Sequence, residues 1–139
     1  MTRVGPISAV RQVFQLYRLG TDGFVWWRMV SPNGRVLART VRAHDSVEAA
    51  SRSIALVRSR AHDLEPSMRL TPYARWHWAL ALDGEPVVES LCDLDRRVRC
   101  DQAWRSFAAL APEAAIDPVV HRFRSAALPV GAAAPGRPE

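Results

Sequence analysis

The sequence predicts an α+β fold of two pseudo-repeats of β-β-β-α, an antiparallel sheet with two helices packed on one face. Three observations carry this. Asn33-Gly34 returns as Asp83-Gly84 fifty residues later, each time between β-prone runs. Leu37 and Thr40 keep the same offset from Val87 and Ser90. Each return strand then leads into a helical stripe: Val47, Ala50, Ile54 and Val57 first, Cys100, Ala103, Trp104, Phe107 and Leu110 second. One unit alone would hide its apolar face poorly, whereas two side by side share a sheet.

Residues 1–12 form a mixed lead-in, and residues 13–66 the first repeat. Val13–Leu19 alternates as a strand does. Gly20–Gly23 turns the chain, Phe24–Val30 makes a second strand, and Pro32-Asn33-Gly34 turns it again into Arg35–Val41. Asp45 or Ser46 caps a helix to about Ala61, because a short polar side chain accepts the orphan N–H groups of the first turn. Pro66 closes the unit.

Residues 67–112 form the second repeat. Met68–Leu70 is a weak strand, and Trp76–Leu82 a strong one with Trp76, Trp78, Leu80 and Leu82 on one face. Glu85–Leu91 returns, with Pro86 marking an edge strand or a strand start. Asp93 or Asp95 caps a helix to about Ala111, which Pro112 ends. In the C-terminal extension, residues 113–139, Val119–Arg124 adds at most a short strand. From Ala126 the Pro/Gly/Ala-rich sequence has little to bury and is expected to be mobile.

The 139 residues amount to one domain or two fused half-domains, and 48% apolar residues suit a globular protein. No run reaches the roughly 18 apolar residues of a membrane span, and the N-terminal apolar stretch is short for a secretory leader, so a cytoplasmic location is expected. Two cysteines, Cys92 and Cys100, are then expected as reduced thiols. All 19 basic residues are arginine and the net charge is +5. With abundant alanine and Asn33 as the sole asparagine, this composition fits a codon bias. The sharper reading is guanidinium chemistry on phosphates or carboxylates.

The repeated pattern resembles the YegP-like family, small proteins built from a tandem domain of unknown function. Its first copy here is Val25-x-Trp27-x-Met29, Asn33-Gly34, Val36-Leu37 and Thr40, then Ile54 and Val57. Its second is Trp76-x-Trp78-x-Leu80, Asp83-Gly84, Val87-Val88 and Ser90, then Trp104 and Phe107. Asp83 replaces an asparagine, the second hairpin loop is one residue shorter, and Arg97 stands where the first copy has Val47. The resemblance spans roughly Phe14 to Leu110. It implies an α+β fold with internal duplication and a homodimer, and no activity.

Adjacent strand residues face opposite ways, so Trp27 goes under the helix with Val25 and Met29, and Trp26 shares the other face with Arg28. In the second unit Arg75 and His77 take that open face. Trp26, Arg28, Arg75 and His77 are therefore the candidate interaction surface. Aromatic plus arginine suits a protein interface or stacking on single-stranded bases; cover by one of the chain's own termini is the plainer alternative. Arg96-Arg97-Val98-Arg99 opposes the dipole of the second helix, which calls for a carboxylate from Asp93 or Asp95, an anionic ligand, or simple solvation. Asp93 and Asp95 near Glu89 suit caps better than a cation site.

No phosphate loop, nucleophile elbow, Rossmann glycine pattern or zinc spacing occurs. No catalytic residue, cofactor or metal is expected. The sequence points to a non-enzymatic interaction module that self-associates or binds a protein partner through its open sheet face or an edge strand. The alternative is a nucleic-acid-binding accessory protein using an arginine-rich surface. A third reading, a small-molecule or enzymatic role at the Cys92/His77 side, requires a pocket lined by both residues.

Overall fold

The computed structural model describes residues 11–124. Strands β1 (Val13–Leu19), β2 (Trp26–Val30) and β3 (Val36–Thr40) lead into helix α1 (Val47–Ser59). Strands β4 (Glu65–Leu70), β5 (Trp76–Leu82) and β6 (Glu85–Glu89) lead into α2 (Arg97–Leu110), and β7 (Ala115–Phe123) follows. All seven strands form one sheet in the order β4-β5-β6-β3-β2-β1-β7. The fold is thus α+β. The lead-in through residue 10 and the tail expected to be mobile lie outside the described residues.

The sheet is mixed, not wholly antiparallel as expected. β7 runs parallel to β1, from Val13↔Ala115 to Leu19↔Phe123, with a bulge between Phe14 and Leu16. β7 reaches β1 after the long connection through α2 rather than through a hairpin, and only strands joined without a tight hairpin can pair in parallel. That pairing also makes β7 a nine-residue strand where only a short Val119–Arg124 segment was expected.

Pro66 was expected to close the first unit, yet it lies inside β4. β4 is an edge strand, and a missing N–H costs little there. Pro86, by contrast, stands at the start of a strand inside the sheet, between β5 and β3, so the edge-strand alternative for it fails. The second hairpin turns on Asp83 (φ 52) and Gly84 (φ 84), both left-handed, as a two-residue hairpin loop requires. Arg60, at the end of α1, grips the Asp83 carboxylate with two bonds of 2.9 and 3.2 Å.

Ser46 caps α1, its hydroxyl accepting the Ala49 N–H at 3.0 Å. The expected acidic cap of α2 is absent: Arg96 holds the N-cap position without a side-chain bond. Asp93 is drawn instead to His77 at 2.9 Å, and Asp95 to Arg99 at 3.8 Å.

Both helices set their stripes against one face of the sheet. Phe14, Trp27, Met29, Ile54, Val57, Trp78, Leu80, Val88 and Phe107 are buried there in a single cluster. Trp27 donates its indole N–H to Ser53 of α1 at 2.9 Å, which ties sheet to helix. Phe107 of α2 lies 6.4 Å from the Phe14 ring and 6.0 Å from Trp78. Phe107→Ala is expected to cost about 3–5 kcal/mol by urea unfolding, since it removes a fully enclosed ring. Tyr73→Ala, at an exposed turn, should change stability by no more than about 0.5 kcal/mol. Equal losses in the two would contradict this core.

Candidate interaction surface

The alternation that sends Phe14, Leu16, Trp27 and Met29 into the core sends Gln15, Tyr17, Trp26 and Arg28 to the opposite face. Arg39 of β3, Glu89 of β6 and His77 of β5 stand on that same face, through the registers Arg28↔Arg39, Arg39↔Glu89 and Ala79↔Glu89. No described helix covers it.

These side chains form one connected network. The Arg39 guanidinium lies 5.9 Å from the Trp26 ring centroid and 3.1 Å from a Glu89 carboxylate oxygen. Arg39 also hydrogen-bonds with Tyr17. The other Glu89 oxygen lies 3.3 Å from His77 Nε2. His77 Nδ1 lies 2.9 Å from an Asp93 carboxylate oxygen and 3.1 Å from Ser90 Oγ. Arg75 donates to the Asp93 carbonyl at 2.8 Å. At the other end, Arg28 donates to Gln15 at 3.0 Å and spreads over Tyr17 and Phe123, 5.4 and 4.8 Å from their ring centroids.

All four residues singled out in the sequence belong to this network. Trp26, Arg28 and His77 are half-buried members on strands. Arg75 is exposed and sits in the turn before β5, so it joins the face at its rim through Asp93 rather than from a strand. The Trp26 indole N–H is buried with no hydrogen-bond partner among the described residues. Tyr17, Arg39, Glu89 and Phe123 escaped sequence reasoning. Period-two alternation along β1 and β3 would have found Tyr17 and Arg39. Glu89 lies fifty residues from Arg39, so the repeat offset held the clue to that pair. Phe123 had no signal, because the parallel β1–β7 pairing was not foreseen.

Two other readings required different clusters, and neither cluster forms. Cys92 lines a cavity on the helix side, while His77 lies on the open face. They therefore do not form the shared nucleophile–base pocket. Asp95 turns to Arg99, while Glu89 and Asp93 approach opposite nitrogens of His77, with Arg39 also on Glu89. Among the described residues no group of three or more His, Cys, Asp or Glu side chains is placed to hold a metal ion.

The contacts shift the protonation of His77, Glu89 and Tyr17. Hydrogen bonding to Glu89 pushes the His77 imidazolium above its ordinary value, against the opposing effect of burial. Burial pushes the Glu89 carboxyl up, but His77 and Arg39 more than offset it and hold it below the ordinary carboxylate value. Burial raises Tyr17, against the pull of Arg39 and Arg28. Arg39, Glu89, His77 and Asp93 thus form a chain of alternating basic and acidic side chains.

Two solved structures match this architecture. One is a protein of unknown function, YegP from E. coli, with TM-score 0.66 and 15% identity over 80% of this chain and 95% of that one. The other is a UPF0339 protein from Shewanella oneidensis, with TM-score 0.65 and 11% identity over 78% and 92%. The fold is that of the YegP-like proteins. No protein-family model and no curated protein matches the chain. Neither protein's name states an activity.

The raised His77 value has a thermodynamic sign. A group whose folded pKa exceeds its unfolded one stabilises fully below the unfolded value, about 6.5 for histidine, and loses that contribution as pH rises through the folded value. The stability margin of wild type over His77→Gln should therefore be larger at about pH 6 than at about pH 9, by urea unfolding at both. A margin that does not change with pH would contradict the Glu89–His77 contact.

Proposed function

We propose that this protein is a non-enzymatic interaction module whose open sheet face receives a second copy of the chain or another protein. The observation that carries the reading is the face no described helix covers: half-buried Trp26, Arg28 and Phe123 lie together on it, over a Tyr17 that Trp26, Leu91 and Phe123 enclose. Tryptophan and arginine are among the residue types that dominate binding energy at protein interfaces. Their side chains here are held in place by stacking and ion pairs, so little conformational entropy is lost when a partner docks.

Two further observations favour this face over the alternatives. Both edge strands carry a proline, Pro66 in β4 and Pro118 in β7, which blunts pairing with an added strand. The arginines of the face are engaged, Arg39 with Glu89 and Arg28 with two aromatic rings, and this weakens the nucleic-acid reading. The same proposal takes the two β-β-β-α stretches as pseudo-repeats of an internal duplication, supported by the fifty-residue offset of the paired Arg39 and Glu89. It also takes the protein as cytoplasmic. No helix of the described residues is long and apolar enough to cross a membrane, and Cys92 and Cys100 form no disulfide.

Sedimentation velocity of the full chain, alone and with cell extract fractionated for bound protein, tests the reading. Wild type should sediment as a dimer or in complex with a defined protein. Trp26→Ala and Arg28→Glu should each weaken that association at least about tenfold. A monomeric wild type, together with every partner contact surviving Trp26→Ala, would overturn it. Binding to single-stranded DNA that falls steeply with salt would favour the nucleic-acid reading instead.

A further inference from the structure

β3 and β6 meet over only two registered pairs, Arg39↔Glu89 and Thr40↔Val88. One more backbone bond, Val41 N–H to the Val87 carbonyl at 3.2 Å, follows at one end, and a cavity lies near each end of this short pairing. One, of about 220 Å3, is lined by Thr40, Arg42, His44, Ser53 and Glu85–Val87. The other, of about 480 Å3, lies between the start of β3, the chain leaving β6 and α2. Every lining residue of the smaller cavity has a counterpart fifty positions away in the larger. The two are the same place built twice, and their differences are informative.

At the smaller cavity Arg42 and Glu85 face each other as an ion pair, 3.5 Å apart. Their counterparts at the larger are Cys92 and Arg35. A cation therefore stands where the acid stood, and the acid has no equivalent. Arg35 is exposed, and among the described residues its guanidinium makes no ion pair. The walls change in step: His44 becomes Leu94, and Ser53 becomes Ala103. Ser53 fills its own site and accepts the Trp27 indole N–H; Ala103 offers Trp78 neither bulk nor an acceptor. The result is a cavity twice as large, with Leu37, Trp78, Leu91 and Leu94 as apolar walls and one unneutralised guanidinium at its rim. Its volume falls in the range of roughly 300–1,000 Å3 typical of small-molecule sites, and the smaller one falls below it.

We propose that the larger cavity binds a small amphiphilic carboxylate, its apolar chain against Leu37, Trp78 and Leu94 and its headgroup on Arg35. Charge selects the class: an alkyl alcohol would fill the walls equally but leave Arg35 unpaired, and an alkylammonium would be repelled. Leu37, Trp78 and Ala103 place most of the site on the helix side, while Leu91 also packs beside Trp26. Because the test reads Arg35 and decanoate rather than Trp26, its failure is distinguishable from failure of the interaction surface.

Titration of the full chain with decanoate, followed by two-dimensional NMR below micelle-forming concentrations, tests this. Decanoate should shift the amides of Leu37, Leu91, Leu94 and Ala103 saturably, and leave those of His44 and Val87 in place. It should bind at least about tenfold more tightly than decan-1-ol, and Arg35→Glu should remove at least about that tenfold. Ala103→Phe should block the cavity; if that variant fails to fold, Arg35→Glu at an exposed position still decides. Equal affinity for decanol and decanoate, undiminished binding in Arg35→Glu, or no saturable shift would overturn the proposal. So would nuclear Overhauser contacts from residues 125–139 to Leu37 or Leu94, since the chain's own tail would then fill the cavity.

Discussion

The ion pair of Arg39 with Glu89 ties together the two central strands through which the halves of the sheet meet, above a core that both halves share. It spans the seam where β3 meets β6, and that seam has one other registered pair. Four strands lie on one side of the seam and three on the other. Arg39 is 8% exposed at its side chain and Glu89 19%, so each charge is largely withdrawn from water and depends on the other. Removing one partner of such a pair typically costs about 3–5 kcal/mol, because the survivor is left uncompensated. The surrounding contacts share that dependence: Tyr17 and Trp26 flank Arg39, and His77 supplies Glu89 with a second cation.

A short seam has consequences on both faces of the sheet. On the open face it brings Arg39 and Glu89 to the centre, so the polar ladder from Arg75 to Trp26 crosses from one half of the sheet to the other. On the helix face a cavity lies near each end of the same short pairing. The surface proposed to meet a partner and the cavity proposed to take a carboxylate thus adjoin one short strand pairing. The chemistry of the two cavities differs because the residues differ: Arg42 and Glu85 form an ion pair, whereas the corresponding positions, Cys92 and Arg35, carry one guanidinium and no carboxylate.

Much of the fold was legible in the sequence. Period-two alternation separated Trp27 from Trp26, and the structure buries Trp27 completely while leaving Trp26 half-buried on the other face. The α1 stripe and the Ser46 cap followed from spacing and residue type. What failed did so where tertiary contacts override local chemistry. Asp93 has the right type to cap α2, but His77 competes for it from across the sheet. Pro66 reads as a terminator, yet an edge strand tolerates it. β7 depends on a parallel partner more than a hundred residues away in sequence, and no local pattern encodes that pairing. Of the interaction surface, the strand residues were legible from alternation. The ladder that joins them was not, because it depends on which strands become neighbours.

Native-state hydrogen exchange at the seam is the decisive measurement, because it reports the opening free energy of each amide separately. If the Arg39–Glu89 contact binds the two halves into one cooperative unit, the Thr40 and Val88 amides should exchange only with global unfolding, like those of Met29 and Leu80 in the core. If the seam amides open at a free energy well below that of either half's core, the halves separate independently. The ion pair would then be a minor contact between two self-sufficient pieces, and the seam would not be what unites the sheet.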